Sequence, residues 1–301
     1  MERKQVTLVR AHERALHEIR SIDFITDALG YASASVLFSQ GETKVLASIT
    51  LQQGLPPFLK GQPVGWLSAE YAMLPSATHL RNNRESSQAQ RNARSVEISR
   101  LIGRCLRTCV DLSLLRDKTI IIDCDVLQAD GGTRVACITA ASLALEIATK
   151  RWFDEKITEV NIFTERIVGI SVGFLQNQLI SDLDYKEDSS AGADFNFIIT
   201  RSNRLVEVQG TSEKTPLAWE QFDGAKDLAQ QSAKEIFSIT EKKLASLDLQ
   251  ITKNNTNIAF LFNASHERQK ASKTPHSITE VKQHQNQKTN PFSLGNRITK
   301  S

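Results

Sequence analysis

The sequence lacks any long hydrophobic run. A helix that crosses a bilayer needs about 20 predominantly apolar residues, and no window of the 301 residues approaches that length. The first ten residues, MERKQVTLVR, carry charges without an apolar stretch behind them, so we expect no secretory signal. These absences favour a soluble protein over a membrane-spanning or secreted one.

Cysteine is also scarce, with four residues in the whole chain. That number is too small to predict a disulfide framework in a chain of this length. Cys105 and Cys109 are one helical turn apart, but no further Cys or His is patterned around them as metal ligands. We therefore expect four reduced, mostly buried thiols and a cytoplasmic location.

Two familiar catalytic signatures are missing as well. The phosphate-binding pattern GxxxxGK[ST] occurs nowhere in the sequence, which excludes a P-loop nucleotide site and disfavours a small-molecule kinase. No Ser-His-Asp arrangement is apparent either. Any chemistry must come from other residues.

The positive charge is concentrated near the end of the chain. Residues 252–301 contain six Lys, two Arg and two Glu, a net charge of +6, whereas the whole chain carries +3. This segment is rich in Asn, Gln, Ser and Thr and has little apolar periodicity, which is typical of disorder. The sequence predicts a folded domain over residues 1–251 and a basic, disordered tail over 252–301. An arm that attracts RNA is the alternative interpretation of this tail.

Strand-like and helix-like segments are mixed along the body of the chain, which favours an α+β fold with mixed sheets. Apolar residues recur at helical spacing in "SVEISRLIGRCLRTCVDL", where Ile98, Leu101, Ile102, Cys105 and Cys109 share one face. An alanine-rich helix is predicted over residues 133–153 and a third helical region over 219–247. The predicted strands are residues 34–51 (two strands joined at Gln40-Gly41), 118–129, 167–185, 193–200 and 204–210.

The stretch "IIIDCDVLQADGGTR" joins a predicted strand to the alanine-rich helix. Strand alternation places Asp123 and Asp125 on the same face, opposite Cys124. Gly132 permits a tight turn, Thr133 is a good helix start, and Arg134 suits phosphate oxygens. A helix N-terminus is itself an anion site. The residues alone leave an anion site and an ordinary capped turn about equally supported.

Seven arginines and no lysine lie between residues 80 and 108. Arginine without lysine favours bidentate phosphate recognition over a general basic surface. Pairing with Glu85 and Glu97, or contacts between subunits, is the structural alternative for some of them. The seven are Arg81, Arg84, Arg91, Arg94, Arg100, Arg104 and Arg107.

Five carboxylates crowd the segment "SDLDYKEDSSAGADFNF". Carboxylates grouped in this way suit Mg²⁺, which takes one or two of them together with waters and substrate phosphates. For Asp182 and Glu187 we expect an exposed acidic turn instead. Asp194 opens an apolar strand, where an unpaired carboxylate is costly, so it is the better candidate for function.

Six stretches, in this order between Arg10 and Leu244, resemble ribonuclease PH, a family of phosphate-dependent 3′-exoribonucleases that trim tRNA precursors. They are "GETKVLASI", "PPFLKGQPVGWLSAEYAMLP", "THLRNNRES", "IDCDVLQADGGTR", "DLDYKEDSSAGAD" and "VEVQGT". Several long motifs in the family's order are far more specific than any one of them. The resemblance implies an α+β ribonuclease PH fold, of the ribosomal protein S5 domain 2-like type, and a homo-oligomer, a hexamer built as a trimer of dimers.

The resemblance also implies roles for individual residues. Matched position by position, it gives catalytic and Mg²⁺-binding aspartates (Asp188 and Asp194), a phosphate site (Arg94, Gly132, Thr133 and Arg134) and RNA-binding arginines (Arg81 and Arg84). The implied activity uses inorganic phosphate as co-substrate to release nucleoside diphosphates from tRNA precursors and other RNA 3′ ends. The reaction is reversible, as expected of a tRNA nucleotidyltransferase. A non-catalytic RNA-binding ring subunit is the alternative, and retention of these residues argues against it.

The sequence departs from the family pattern at several positions. Ser76 replaces the arginine after "MLP", Ala93 replaces the glycine before the phosphate arginine, and Gly192 replaces an acidic residue. Near the start, the family's DGR and LRP elements become "HER" (His12–Arg14) and "IRS" (Ile19–Ser21). The residues expected to perform chemistry are all retained.

Overall fold

The alanine-rich segment after Gly131-Gly132 forms a helix that packs against two sheets. A computed structural model describes residues 10–85, 92–213 and 216–271, with side chains through Leu247. The helix, α2 (Thr133–Asp154), is buried along most of its length. The absence of a side chain at Gly169, on a strand that packs against this helix, permits close approach: a Cβ there would lie 2.8 Å from the Cβ of Val135.

The first sheet has five strands, in the order β1-β2-β3-β5-β4, and only β4 and β5 run parallel. Helix α1 packs on β4, and α2 packs on β2, β3 and β5. The helix is α1 (Ala93–Leu106), and the strands are β1 (Ile22–Thr26), β2 (Ala34–Gln40), β3 (Thr43–Gln53), β4 (Trp66–Met73) and β5 (Lys118–Gln128).

The second sheet is antiparallel and has four strands in the order β7-β6-β8-β9. One face packs against alanines of helix α4, including Ala225, Ala229 and Ala233. The strands are β6 (Ile167–Leu175), β7 (Gln178–Ser181), β8 (Ala193–Thr200) and β9 (Leu205–Ser212); the helices are α3 (Tyr185–Ser190) and α4 (Trp219–Ala271).

The α+β class and the principal predicted elements are confirmed. The predicted apolar face, from Ile98 to Cys109, is buried, although α1 ends at Leu106 and Cys109 lies in the short 3₁₀ helix that follows it (Arg107–Cys109). All four cysteines are free and buried. Strands β1 and β4 and the short helix α3 were not among the predicted elements. None of the described helices is both long and apolar enough to cross a membrane.

The chain divides into a unit of residues 1–245 and a unit of residues 246–301. In the second unit the structure describes only the continuation of α4, as far as Ala271. The boundary that the sequence predicts at residue 251 stays a prediction, and most of the predicted tail lies outside the described residues.

Candidate active site

The Gly131-Gly132 turn lies against the start of α3. Both glycines have left-handed backbone angles, with φ of 78° and 64°. A Cβ on Gly131 would come within 2.6 Å of the Leu183 carbonyl oxygen and 2.8 Å of the Tyr185 nitrogen. Glycine is therefore required both for the turn and for its close approach to the backbone that enters α3.

Two side chains from distant parts of the sequence hold this turn. The hydroxyl of Thr43 donates to the carbonyl of Gly131 (2.7 Å) and accepts from the amide of Asp130 (3.1 Å). Arg20 donates to the carbonyl of Asp130 (2.5 Å). The turn is thus fixed before any ligand binds.

Thr133, the first residue of α2, has a buried partner on the neighbouring strand β4. Its Oγ1 lies 3.0 Å from the hydroxyl of Tyr71, and either oxygen can be the donor. Burial raises the pKa of Tyr71 above its ordinary value, so the phenol keeps its proton over the working pH range. The first N–H groups of a helix have no partner within the helix, so Thr133 stands where an anion is favoured.

Arg94 reaches the same region from the first turn of α1. The side chain of Asn92 caps that helix by accepting from the amide of Arg94 at 2.9 Å. The positive charges of Arg94 and Arg134 both act on Tyr71 and on Asp188. The fold thus brings together two arginines that lie 40 positions apart in the sequence.

Asp188, on α3, and Asp194, at the start of β8, form a half-buried acidic pair. Burial raises the pKa of Asp188, Asp194 raises it further, and Arg134 and Arg94 lower it. Burial likewise raises the pKa of Asp194, against the effect of Arg134. Within the described residues, no ion pair neutralises either carboxylate. A cation between them would be favourable.

Arg134 has one hydrogen bond from its own side chain, to β9. Its Nη1 donates to Oε1 of Gln209 at 3.2 Å. The positive charge of Arg134 also acts on Asp188 and Asp194, where it lowers each pKa against the larger effect of burial. Five N–H groups on one planar fork allow Arg134 to keep this bond and still bind an oxyanion.

The acidic turn before α3 is buried, so the expectation of an exposed turn at Asp182 and Glu187 was wrong. Asp182 is fully buried and accepts from Arg20 at 2.7 and 3.1 Å. Glu187 accepts from Arg10 at 2.7 and 3.0 Å and from Arg14 at 3.2 Å. We call these five residues the arginine–carboxylate cluster.

This cluster fixes the helix that carries Asp188. Glu187 also forms a capping box with Asp184, so the first turn of α3 is held from both sides. Arg20 joins Asp182 to the Gly131-Gly132 turn through the Asp130 carbonyl. Arg14 and Arg20 are the arginines that survive in the altered "HER" and "IRS" elements.

The loop that carries Arg81 and Arg84 lies beside α3. Its His79 ring contacts the ring of Tyr185, with centroids 6.3 Å apart. The carbonyl of Ala77 accepts from the amide of Ala129, just before the Gly131-Gly132 turn. Both arginines are exposed. They stand at the rim of the site rather than among its inner groups.

Two other arginines of the same stretch have structural contacts, as the alternative interpretation expected, but their partners differ from the Glu85 and Glu97 that it named. Arg104 pairs with Glu207 at 2.7 Å. Arg107 donates to the Leu67 carbonyl and lies over the ring of Trp66. Arg91 lies outside the described residues.

Asp123 and Asp125 face away from α2. The predicted alternation along β5 is confirmed, since Cys124 is buried and its sulfur approaches the Cys137 carbonyl on α2 at 4.0 Å. The two aspartates lie on the opposite, half-buried face. Burial raises the pKa of each, and Glu70 on β4 raises that of Asp123 further. They are not part of the group around Thr133.

The arrangement can hold an oxyanion beside a pair of carboxylates. Arg94, Arg134 and the hydroxyl of Thr133 supply donors, and Asp188 and Asp194 can share a divalent cation.

Sequence reasoning missed Thr43, Tyr71 and Gln209, which hold the turn or contact Thr133 and Arg134 directly. All three lie inside stretches that resemble the family, but no local pattern predicted their partners.

Comparison with known proteins agrees with this architecture. The family model described as "3′ exoribonuclease family, domain 1" matches residues 18–150. The model for domain 2 of the same family matches residues 165–232. Ribonuclease PH of Tropheryma whipplei (strain Twist) is 45% identical over 242 residues, 80% of this chain and 97% of that protein. Ribonuclease PH of Bacillus pumilus is 45% identical over 229 residues, 76% of this chain and 95% of that protein.

Two solved structures share the fold. Rice (Oryza sativa) Rrp46 superposes with a TM-score of 0.64 at 16% identity, covering 78% of this chain and 100% of that one. A chain of the Archaeoglobus fulgidus exosome with RNA bound to the active site gives a TM-score of 0.64 at 21% identity, covering 77% and 92%. At these identities the likeness concerns the fold alone.

Proposed function

The chain belongs to the 3′ exoribonuclease family of ribonuclease PH, and from that membership we propose a phosphorolytic 3′-to-5′ exoribonuclease that trims the 3′ extensions of tRNA precursors. One observation carries the proposal. Arg94 and Arg134, from two different helices, act on the same half-buried carboxylate, Asp188, beside Asp194. This supports a site in which donors for a phosphate would stand next to acceptors for a cation.

The reaction needs no side-chain nucleophile, because inorganic phosphate attacks. One of its oxygens forms a bond to the phosphorus of the last phosphodiester, and the bond from that phosphorus to the preceding 3′ oxygen breaks. The terminal nucleotide leaves as a nucleoside diphosphate, and the shortened RNA ends in a 3′ hydroxyl. Since one phosphate link replaces another, the reverse reaction adds nucleotides, which is the activity of a tRNA nucleotidyltransferase.

The phosphate site would bring this anion up to an anionic RNA. Arg94 and Arg134 would each hold phosphate oxygens, and Thr133 would donate its hydroxyl proton. Backbone N–H groups at the start of α2, which have no partner within the helix, would also face the anion. Donors placed in advance in this way carry most of the rate in such reactions.

The acidic pair fits Mg²⁺. Two carboxylates with raised pKa values favour a bound cation, and Mg²⁺ takes one or two carboxylates with waters and substrate phosphates as its other ligands. No group of three or more metal-ligating side chains occurs in the described part of the chain, so the remaining ligands would have to come from substrate and water. The ion would neutralise charge on the scissile phosphate. Asp194 would also relay the proton from the attacking phosphate to the leaving 3′ oxygen.

Arg81 and Arg84 would bind the RNA backbone at the rim of the site. Their exposure suits contact with phosphates that lie away from the reacting bond. Ser76, where the family has an arginine, removes one charge from the same loop. The loop nonetheless stays next to α3 through the His79–Tyr185 contact.

The proposed assembly is a hexameric ring, a trimer of dimers, in the cytoplasm. Asp123 and Asp125 lie on the face of β5 that points away from α2, and burial raises the pKa of both. A basic side chain of a neighbouring subunit would stabilise their charges, which supports subunit contacts on this face. The four free thiols fit a reducing compartment.

One assay tests the activity. Purified protein is incubated with a tRNA carrying a 3′ extension, with Mg²⁺, and with or without inorganic phosphate. We expect nucleoside diphosphates only when phosphate is present. Release of monophosphates without phosphate would indicate hydrolysis, and bound RNA without any release would favour the non-catalytic ring subunit.

A further inference from the structure

Arg134 is connected to α1 by a continuous chain of side-chain hydrogen bonds along β9. Its Nη1 donates to Oε1 of Gln209 at 3.2 Å, and Nε2 of Gln209 donates to Oε1 of Glu207, also at 3.2 Å. Glu207 in turn accepts from Arg104 at 2.7 and 3.3 Å. We call these four residues the β9 relay.

The polarity of the relay admits one orientation of the Gln209 amide. An arginine side chain can only donate, and an ionised carboxylate can only accept. Gln209 must therefore turn its NH₂ group toward Glu207 and its oxygen toward Arg134. If the amide were reversed, its oxygen would face the Glu207 carboxylate and its NH₂ group would face the Arg134 guanidinium, and neither pair could form a hydrogen bond.

The relay is attached to the same helix that supplies the other phosphate arginine. Arg104 lies ten residues after Arg94 in α1, so one helix carries both Arg94 and the far end of the relay. The sulfur of Cys105, the next residue, also approaches Glu207 at 3.6 Å. The position of Arg134 is thereby set relative to α1 as well as to its own helix.

We propose that Gln209 is a positioning residue that orients the guanidinium of Arg134 toward phosphate, with Glu207 and Arg104 fixing the direction of its amide. This inference rests on the proposed phosphate site. An arginine side chain has several rotatable bonds, and a free one loses that freedom each time it binds an anion. By holding the guanidinium in place, Gln209 lowers the conformational entropy that Arg134 loses on binding phosphate. Gln209 therefore strengthens phosphate affinity and does not affect RNA binding.

The test compares Gln209→Leu with Leu205→Ala, an exposed position on the same strand, as the matched control. Direct binding of inorganic phosphate is measured by calorimetry on the full chain, beside phosphate titrations of the exonuclease reaction. For Gln209→Leu we expect the Kd and KM for phosphate to rise about fivefold, the value of one modest hydrogen bond. The kcat at saturating phosphate and the RNA affinity without phosphate should match wild type.

A double-mutant cycle separates orientation from general stability. Glu207→Leu should weaken phosphate binding in the wild-type background and have no further effect when Gln209→Leu is already present. Gln209→Glu should weaken binding more than Gln209→Leu, because its carboxylate competes with phosphate for Arg134.

Unchanged phosphate affinity in Gln209→Leu would overturn the inference, as would a parallel loss of kcat, RNA affinity and thermal stability. A wild-type protein that binds phosphate but releases no diphosphate would overturn the proposed activity alone, because the binding measurements still decide the role of Gln209. A wild-type protein that binds no phosphate would overturn both.

Discussion

The hydroxyl groups of Tyr71 and Thr133 lie 3.0 Å apart, and both side chains are buried. The pair joins strand β4 to the first residue of α2. If Tyr71 donates, the proton of Thr133 is free to point at an anion at the start of the helix. With the hydrogen bond in this direction, a buried tyrosine on a neighbouring strand leaves the threonine hydroxyl free to donate to a substrate.

Tyr71→Phe should therefore weaken phosphate binding. We expect the KM for phosphate to rise about fivefold, and stability to fall by about 1 kcal/mol, from the loss of one hydrogen bond. Phosphate titrations and urea denaturation measure the two effects. Thr139→Val, which removes another buried hydroxyl bond on α2, is the control and should lower stability alone. Equal phosphate KM values in both variants would count against the role given to Tyr71.

Asp194→Asn should abolish activity and yet stabilise the fold at neutral pH. Burial raises the pKa of Asp194 above its ordinary value of 3.8, so the folded state binds this proton more tightly than the unfolded chain does. The resulting stabilisation is complete below the ordinary pKa and is lost as pH rises through the folded-state pKa. The neutral amide avoids this loss, and we expect a gain of about 1 kcal/mol. Denaturant unfolding at acidic and neutral pH should show the gain at neutral pH only. A destabilised variant at neutral pH would contradict this account.

Asp182→Asn should instead destabilise the fold at neutral pH. Although burial alone would raise its pKa, Arg20 lowers the pKa of Asp182 below 3.8, so its stabilisation is present above that pH and is lost as pH falls through the folded-state pKa. Asparagine tolerates the left-handed backbone there, with φ of 54°. Loss of the buried charge should cost roughly 3–5 kcal/mol at neutral pH, measured by urea unfolding. Wild-type stability at neutral pH would refute the importance of this ion pair.

A chain that ends after residue 251 should remain folded and active. The described core contacts of α4 with the second sheet involve residues of the first unit, from Phe222 to Ile239. Thermal unfolding of the truncated chain should stay cooperative, with a midpoint near that of the full chain. Loss of a cooperative transition would place the domain boundary further along the chain.

Elements with a strong local pattern could be predicted from the sequence. The apolar spacing in α1 and the alternation along β5 both follow from contacts with a single core, and both were predicted correctly. Helix α3 was missed because its six residues have little helical pattern. The capping box of Asp184 and Glu187 is local, but Glu187 is also held by Arg10 and Arg14, which lie more than 170 positions away.

The same reason explains what was missed in the site. Motifs within the sequence pointed to Thr133, Arg134, Asp188 and Asp194 as candidates. Tyr71 contacts Thr133 only because β4 pairs in parallel with β5, opposite Cys124. No local sequence feature specifies that register. Likewise, the acidic turn was expected to be solvated because its composition gives no hint of the arginines that cover it.

The bond between Arg10 and Glu187 spans 177 positions, and this has a consequence for the order of events during synthesis. Arg10 leaves the ribosome long before its partner is made, and the helix that carries Asp188 cannot be secured until that late segment arrives and returns to the start of the chain. Contacts of such long range form slowly. A nascent chain that stops short of this helix therefore has Arg94 and Arg134 without Asp188 and Asp194, so the proposed site is incomplete. Under the proposed mechanism, the enzyme can become competent only after nearly two thirds of its 301 residues have been made.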